Sequence, residues 1–571
     1  MSARFVVRIR ILTLFFIFVS LVIVTRLYVL QIMRADEYRA KANAQFVEPF
    51  TPLVDRNSIF FTDKSGNQIV GATLKSGYAI SINPTKVEDP EAVYEALKDL
   101  TTLSRDVFLQ KIRNKNTQYV RVAEHLSDER GKAIIKADIP GVVVEQDRWR
   151  FYPGGSLAAQ TLGFVAYKGD TQQGRYGLER YYEETLVRPT DTLYSNFFVE
   201  LFGSAKQLLS GAPQSGDLVT TIEPSTQAEL ERQLAAYAAK WSPKLAGGII
   251  MDPKTGEIAA MAVSPTFDLN AFGSQRNALI FANPLVENVY EMGSIIKPLT
   301  VAAGIDSGAI TAESTYNDTG KIEVDGKTIS NFDGKARGVV AVQEILSQSL
   351  NVGASYVATK MGPQNMKDYF LNKYKFGEET GIDLPGEIPG LTENLTRAGA
   401  RPVEFDTASF GQGIAMSPIA TVRALATLAN GGYLVTPHLV KSVHYDTGIT
   451  QEKAWNHDER VLKESSTLAV SRMLTKVVDE ALLHGEIKLP NYSVAAKTGT
   501  AQIANPNGGG YYSDRFLHSF FGYFPSYDPK FVIFLFALEP QGATYSSQTL
   551  TTPFHELTEF LINYYQIPPD R

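Results

Sequence analysis

The tightest constraint on how this chain can fold lies at its beginning. Arg4, Arg8 and Arg10 precede a weakly polar-to-apolar run, Ile11 to Val24, and after Arg26 the apolar character resumes through Met33. A helix over Ile11–Met33 would be about 34 Å long at ~1.5 Å per residue, enough to span a bilayer core. Arg26 can lay its stem along the apolar surface and keep its charge at the interface. Basic residues before the span and a long chain after it predict a single-pass anchor, a cytoplasmic N-terminus and an extracytoplasmic body. A cleaved signal peptide fits less well. Ala40-Lys-Ala42 and Ala42-Asn-Ala44 resemble cleavage sites, but they lie beyond Arg34, Asp36, Glu37 and Arg39, too far from the apolar run.

Beyond the anchor the chain is too long for one ordinary domain, since it has 571 residues in all, and its 44% hydrophobic content suffices for packed cores. The formal charge of −6 is spread without long like-charge runs, so no nucleic-acid partner is expected. With no cysteine there is neither a thiolate nucleophile nor a Cys-based metal site, and the seven histidines are scattered without ligand spacing. No metal and no cofactor is expected.

Residues 35–216 mix strand-like alternation with turns such as Asp63-Lys-Ser-Gly66 and helical segments around Pro90–Leu100 and Asp106–Lys111. This reads as an α+β module without catalytic spacing. Within it Tyr194, Phe197, Phe198, Leu201, Phe202, Ala205, Leu208 and Leu209 recur on one helical face, as either a core helix or a docking surface. From residue 217 to 571 the pattern changes. Thr226-x-x-Glu229 predicts a capping box, followed by a hairpin over Gly248–Asp252 and Ile258–Val263, helices at Leu299–Ile305, Val342–Met361 and Ser417–Asn430, strands at Ser493–Gln502, Ser519–Phe524 and Phe531–Leu538, and a closing helix Pro553–Tyr565. Helices packed on an antiparallel sheet, an α+β fold, are the natural architecture.

The chemistry concentrates at Tyr290–Thr300, where Ser294 stands three residues before Lys297 and so shares a helical face with it. Pro298 is tolerated only in a first turn, which places Ser294 at a helix N-terminus, where partial positive charge and free N–H groups favour an anion. Serine becomes a nucleophile when a base takes its proton, and Lys297 can do so only when neutral. Burial lowers a lysine, and a second cation, Lys497, lowers it further. Ser349 can relay the proton, Asn351 can hold a substrate amide, and Gly499 leaves a strand edge open to a peptide. A second Lys-Thr-Gly, at 254–256, precedes the serine and sits in a hairpin turn, which argues against a catalytic role.

One ordered set, Ser294-Ile-Ile-Lys297, Ser349-Leu-Asn351 and Lys497-Thr-Gly-Thr500, resembles the S-x-x-K, S-x-N and K-T-G motifs of the penicillin-binding transpeptidase superfamily. The closer resemblance is to class B penicillin-binding proteins, over nearly the full length. It includes Gly248–Glu257, the TGIDLPGE stretch ending at Glu387, Ala408–Gly413, Arg148–Pro153 and Gly177-Leu-Glu179. The resemblance implies an anchor over 1–34, a pedestal (dimerisation-type) domain over 35–216 and a β-lactamase-like transpeptidase domain over 217–571. It further implies that Ser294 forms the acyl-enzyme, Lys297 is the base, and Ser349 and Asn351 complete the proton path and substrate grip. Lys497, Thr498, Gly499 and Thr500 would bind substrate, with the backbone N–H groups of Ser294 and Thr500 as oxyanion hole. The implied substrates are D-Ala-D-Ala stem peptides of peptidoglycan, with β-lactams as acylating mimics. The resemblance also implies a bacterial inner (cytoplasmic) membrane location, and a multispanning (SEDS-type) glycan polymerase and other divisome proteins as partners.

Two departures stand out. Asn57 replaces the glycine usual after Arg56, a residue type that still tolerates positive φ, and Leu350 replaces a serine common in division enzymes. A division role is favoured over an elongation role. A β-lactamase would need an E-x-x-L-N stretch, which the chain lacks, and a non-catalytic β-lactam sensor or scaffold would not need both lysines.

Overall fold

The computed structural model describes residues 3–28, 55–188 and 215–571, apart from 102, 116, 118, 170, 458 and 506. The amphipathic stretch Tyr194–Leu209 lies outside the described residues, as do residues 29–33 of the expected anchor. The first element, α1, is a helix over Ala3–Tyr28, with side chains described from Thr13 onward except residue 27. Among the described residues no helix is long and apolar enough to cross a membrane.

The chain packs as two units. One takes in Met1–Val54 and Ser76–Trp149; the other takes in Asp55–Lys75 and Arg150–Arg571. In the first, strand residues up to Ile82 pair antiparallel with Val120–Leu126. Two short helices, Pro90–Leu97 and Arg105–Arg113, lie where the sequence predicts them. Asp89 caps the former by accepting the N–H groups of Glu91 and Ala92, and Leu97, Phe108, Ile112, Ile80 and Val122 form a core of their own.

The second unit begins with a hairpin, Ile59–Thr62 against Gln68 onward, whose Asp63–Gly66 turn is closed by the Asp63 carboxylate. Arg56, just before it, is buried with Arg150 around the wholly buried Glu179. Arg56 Nε donates to Glu179 Oε2 at 2.6 Å and Arg150 Nε to Oε1 at 2.6 Å, so both carboxylate oxygens are held. Arg150 also donates to the Asn57 carbonyl at 2.7 Å. Asn57 itself does not occupy the left-handed region. Its N–H bonds Leu186 O and its amide donates to Asp446, so the asparagine serves here by hydrogen bonding and not by backbone freedom.

Further on, helix α2 covers Pro224–Trp241. Its cap is not the predicted Thr226–Glu229 box: Glu223 accepts from the Thr226 N–H at 2.7 Å, because Pro224 starts the helix two residues earlier. Strands β1 (Leu245–Met251) and β2 (Ile258–Ser264) form the expected hairpin. Lys254-Thr-Gly256 sits in its turn, with Lys254 paired to Asp528. Helices α3 (Lys297–Asp306), α4 (Gln343–Ser347), α5 (Asn351–Lys367), α6 (Pro418–Ala429) and α7 (Glu464–Lys476) come next, then β3 (Ala495–Ala504), β4 (Tyr511–Phe524), β5 (Phe531–Leu538) and α8 (Thr551–Tyr565). The sheet runs β3-β4-β5-β1-β2, all antiparallel, which leaves β3 on an edge. Central β5 reads Phe-Val-Ile-Phe-Leu-Phe-Ala-Leu and is buried along nearly its whole length, as a strand covered on both faces must be. Helices α2 and α8 pack together and on the sheet, while α3, α6 and α7 form a cluster reaching β3 and β5.

Replacing Glu179 with Ala would leave the buried Arg150 guanidinium without a carboxylate and Arg56 with Glu183 alone, at 2.8 Å. A loss of about 3–5 kcal/mol in unfolding free energy is expected, read by urea denaturation.

Candidate active site

Ser294 lies in a 3₁₀ turn, Gly293–Ile296, that runs directly into α3 with Pro298 in its first turn, as the sequence predicts. Gly293 has φ of +66°, and a Cβ there would come within 3.1 Å of the Thr500 carbonyl. The Ser294 turn therefore lies against β3. Ser519, on β4, fastens it by donating to Met292 O at 2.8 Å.

Behind the serine lie two buried lysines, Lys297 at 0% and Lys497 at 2% exposure. Lys297 Nζ donates to the Ser349 carbonyl at 2.6 Å and to Ser349 Oγ at 3.2 Å. Lys497 Nζ reaches the same hydroxyl at 3.1 Å and Thr498 O at 2.9 Å. Burial drives Lys297 well below the usual lysine range, and the neighbouring charge of Lys497 drives it further. Lys497 is lowered to about 7 by burial. Both amines are thus pushed toward the neutral form that general-base chemistry requires.

Ser349 does not sit on a continuous helix over Val342–Met361, as its sequence suggests. The helix breaks between α4 and α5, and Ser349 takes φ of +56°. Such a backbone costs about 1–3 kcal/mol in a non-glycine residue. It turns both the hydroxyl and the carbonyl of one residue toward Lys297. Neighbours hold the bend: Leu350 N–H bonds Ile345 O, and Arg337 donates to the Gln348 side chain at 3.1 Å. Asn351 opens α5 with one amide N–H on Ser330 O at 2.8 Å, so its amide plane is set before substrate arrives.

On β3, Thr500 Oγ1 accepts from the Ser546 N–H at 3.0 Å. Gly499 is buried. A Cβ there would collide with Ser519 Oγ and come within 2.9 Å of Met292 O, so the glycine is demanded by close packing of the Ser294 turn on the strand. Ser294, Ser349, Asn351, Lys497, Thr498 and Thr500 all line one cleft of about 890 Å³, and Lys297 and Gly499 lie behind its wall. Sequence reasoning missed Arg337, Gln348, Ser519 and Ser546, single polar residues whose roles arise only from chain segments meeting in space. It also missed Phe332 and Tyr545, whose rings meet edge to face at 5.8 Å in the cleft wall.

A family model for the penicillin binding protein transpeptidase domain matches residues 246–559, more than half of the chain. The chain belongs to this family. A model for the penicillin-binding protein dimerisation domain matches residues 57–191, and the two together make this a class B penicillin-binding protein. The chain is 29% identical to stage V sporulation protein D of Bacillus subtilis, over 95% of this chain and 83% of that one. It is 28% identical to penicillin-binding protein PbpB of Mycolicibacterium smegmatis (99% and 92% covered) and 25% identical to the peptidoglycan D,D-transpeptidase FtsI of Escherichia coli (89% and 84%). Among solved structures, penicillin binding protein 2X of Streptococcus thermophilus superposes with TM-score 0.70 at 22% identity, over 90% of this chain and 81% of that one. Penicillin binding protein 3 of Mycobacterium tuberculosis, solved with aztreonam, gives 0.68 at 22% over 91% and 98%.

With Lys497 lowered to about 7 and Lys297 well below its ordinary value, acylation should rise with pH as the lysine pair loses its first proton, through an apparent midpoint that belongs to the pair and lies well below the ordinary lysine range. Stability should change in the same sense. Between about pH 7 and the ordinary lysine pKa the unfolded chain binds more protons, so stability rises with pH there and is flat below it, as far as Lys497 is concerned. Acylation rates by a chromogenic β-lactam from pH 5 to 10 check the first, and urea midpoints over the same range check the second.

Proposed function

We propose that this class B penicillin-binding protein, a peptidoglycan D,D-transpeptidase, crosslinks stem peptides during septal wall synthesis and does so through Ser294. The observation that carries the reading is the convergence of Lys297 and Lys497 on Ser349 behind a cleft lined by Ser294. Neutral Lys297 takes the Ser294 proton as Oγ attacks the carbonyl of the penultimate D-Ala. The resulting oxyanion lies at the N–H groups of Ser294 and Thr500. Ser349 passes a proton to the departing terminal D-Ala, the C–N bond breaks and an ester on Ser294 remains. An amine of a second stem peptide then attacks that ester, loses its proton to the same lysine and serine pair, and frees Ser294. Lys497, Thr498 and Thr500 hold the terminal carboxylate, Asn351 the peptide amide, and β3 pairs with the extended donor strand.

The septal assignment is supported by similarity to the FtsI enzymes, and the anchoring by the apolar run Ile11–Val24 within α1. We place α1 in the cytoplasmic membrane, residues 35–216 as a pedestal and 217–571 as the catalytic domain outside it. Similarity to the FtsI enzymes supports a multispanning (SEDS-type) glycan polymerase and other divisome proteins as partners.

Ser294→Ala should abolish covalent labelling by fluorescent penicillin, seen as loss of the labelled band on a gel. A band that persists would reassign the nucleophile. Depleting the protein should give filaments with blocked septa under the microscope; rounded, widened cells would move it to elongation.

A further inference from the structure

His518 is wholly buried on β4, in register opposite Thr500 on β3. Its two ring nitrogens face two points of the segment after β5. Nε2 lies 3.0 Å from Thr544 O, and Nδ1 lies 2.8 Å from Thr549 Oγ1. A carbonyl oxygen can only accept, so Nε2 carries the hydrogen and Nδ1 accepts from the Thr549 hydroxyl. Burial keeps the ring neutral by pushing it down to about 4, which leaves Nδ1 free to accept.

Between those two anchor points sits Ser546. Its Oγ donates to Ser519 O at 2.7 Å, and its N–H donates to Thr500 Oγ1 at 3.0 Å. A hydroxyl that already accepts from one side has its hydrogen available for another acceptor, and Thr500 lines the cleft. Thr544, Tyr545 and Ser547 line it too, so the clamped segment forms the wall beside Thr500.

We infer that His518 is a positioning residue: by tying Thr544 and Thr549 to β4 it fixes the Ser546 N–H on Thr500 and so aims the Thr500 hydroxyl as a donor at the substrate carboxylate. The inference rests on the reading of Thr500 as a carboxylate-binding group. His518 touches no substrate. Glutamine is the substitute that retains one donor and one acceptor, whereas alanine retains neither.

The test compares two probes on the full chain: a penicillin, and the same penicillin with its carboxylate converted to the methylamide. The quantity read is the ratio of their second-order acylation rate constants. His518→Ala should lower that ratio about tenfold, the scale of one hydrogen bond to a charged group, by slowing the carboxylate form. His518→Gln should restore most of it. Thr549→Val, which removes the hydroxyl facing Nδ1 and with it a longer 3.3 Å contact to Ser546 O, should lower the ratio in the same direction and carries the test if His518→Ala does not fold. Equal slowing of both probes in the folded variants means general loosening and overturns the inference. Thr500→Val separates the two readings. If it lowers the ratio while the His518 and Thr549 variants do not, the inference alone fails; if it leaves the ratio unchanged, the role given to Thr500 fails and the inference with it.

Discussion

Two lysine amines buried against one serine hydroxyl are the constraint on which the rest of this site depends. Water would hold both lysines charged, and a charged Lys297 could take no proton. The fold must therefore keep water out while bringing like charges together, both unfavourable acts. It can do so because the surrounding frame is heavily overdetermined. Helix α3 is buried on almost every side, β5 is covered on both faces, and the nucleophile turn is pinned to β4 through Ser519. The stability lost at the lysines is recovered in apolar burial elsewhere.

The same unit handles another set of buried charges in the opposite way. Around Glu179, each carboxylate oxygen has its own guanidinium, and the arginines have further carbonyls to bond. That arrangement is electrically closed and suits a structural joint. The lysine pair is electrically open, with a hydroxyl and two carbonyls for company, and suits chemistry. Burial is common to both; the presence or absence of a counter-charge separates structure from function.

Much of this architecture is legible in the primary sequence, for reasons that differ by residue. Ser294, Lys297 and Pro298 declare a helix start because their spacing and the missing proline N–H have local meaning. The apolar runs of β1, β2 and β5 declare a sheet, and Gly431 and Gly432, both at positive φ, follow the end of α6. The failures are equally local in cause. Glu223 is a rarer cap than the Thr226 read in its place, and proline at the next position is the overlooked signal. Ser349 looks helical because both flanks are helical, and only packing between α4 and α5 reveals the break. Gly499 reads as opening an edge to substrate, but its lack of a side chain serves contact with Ser519 and Met292. Asn331, which accepts the first N–H of α5 after Asn351 while its amide holds the buried Asp318, carries no motif at all.

The left-handed backbone at Ser349 has an evolutionary consequence. Shape and side-chain chemistry are separately encoded at that position, since the bend belongs to the main chain and the contact with both lysines to a single hydroxyl. Asparagine and glycine tolerate that backbone at least as well as serine. A single such replacement would keep the two helices, the cleft and its ligand-binding walls while removing the group shared by both lysines. The side chain shared by the two lysines is therefore free to vary without cost to the bend, while the main-chain contact from Lys297 to the carbonyl of that residue stays in place.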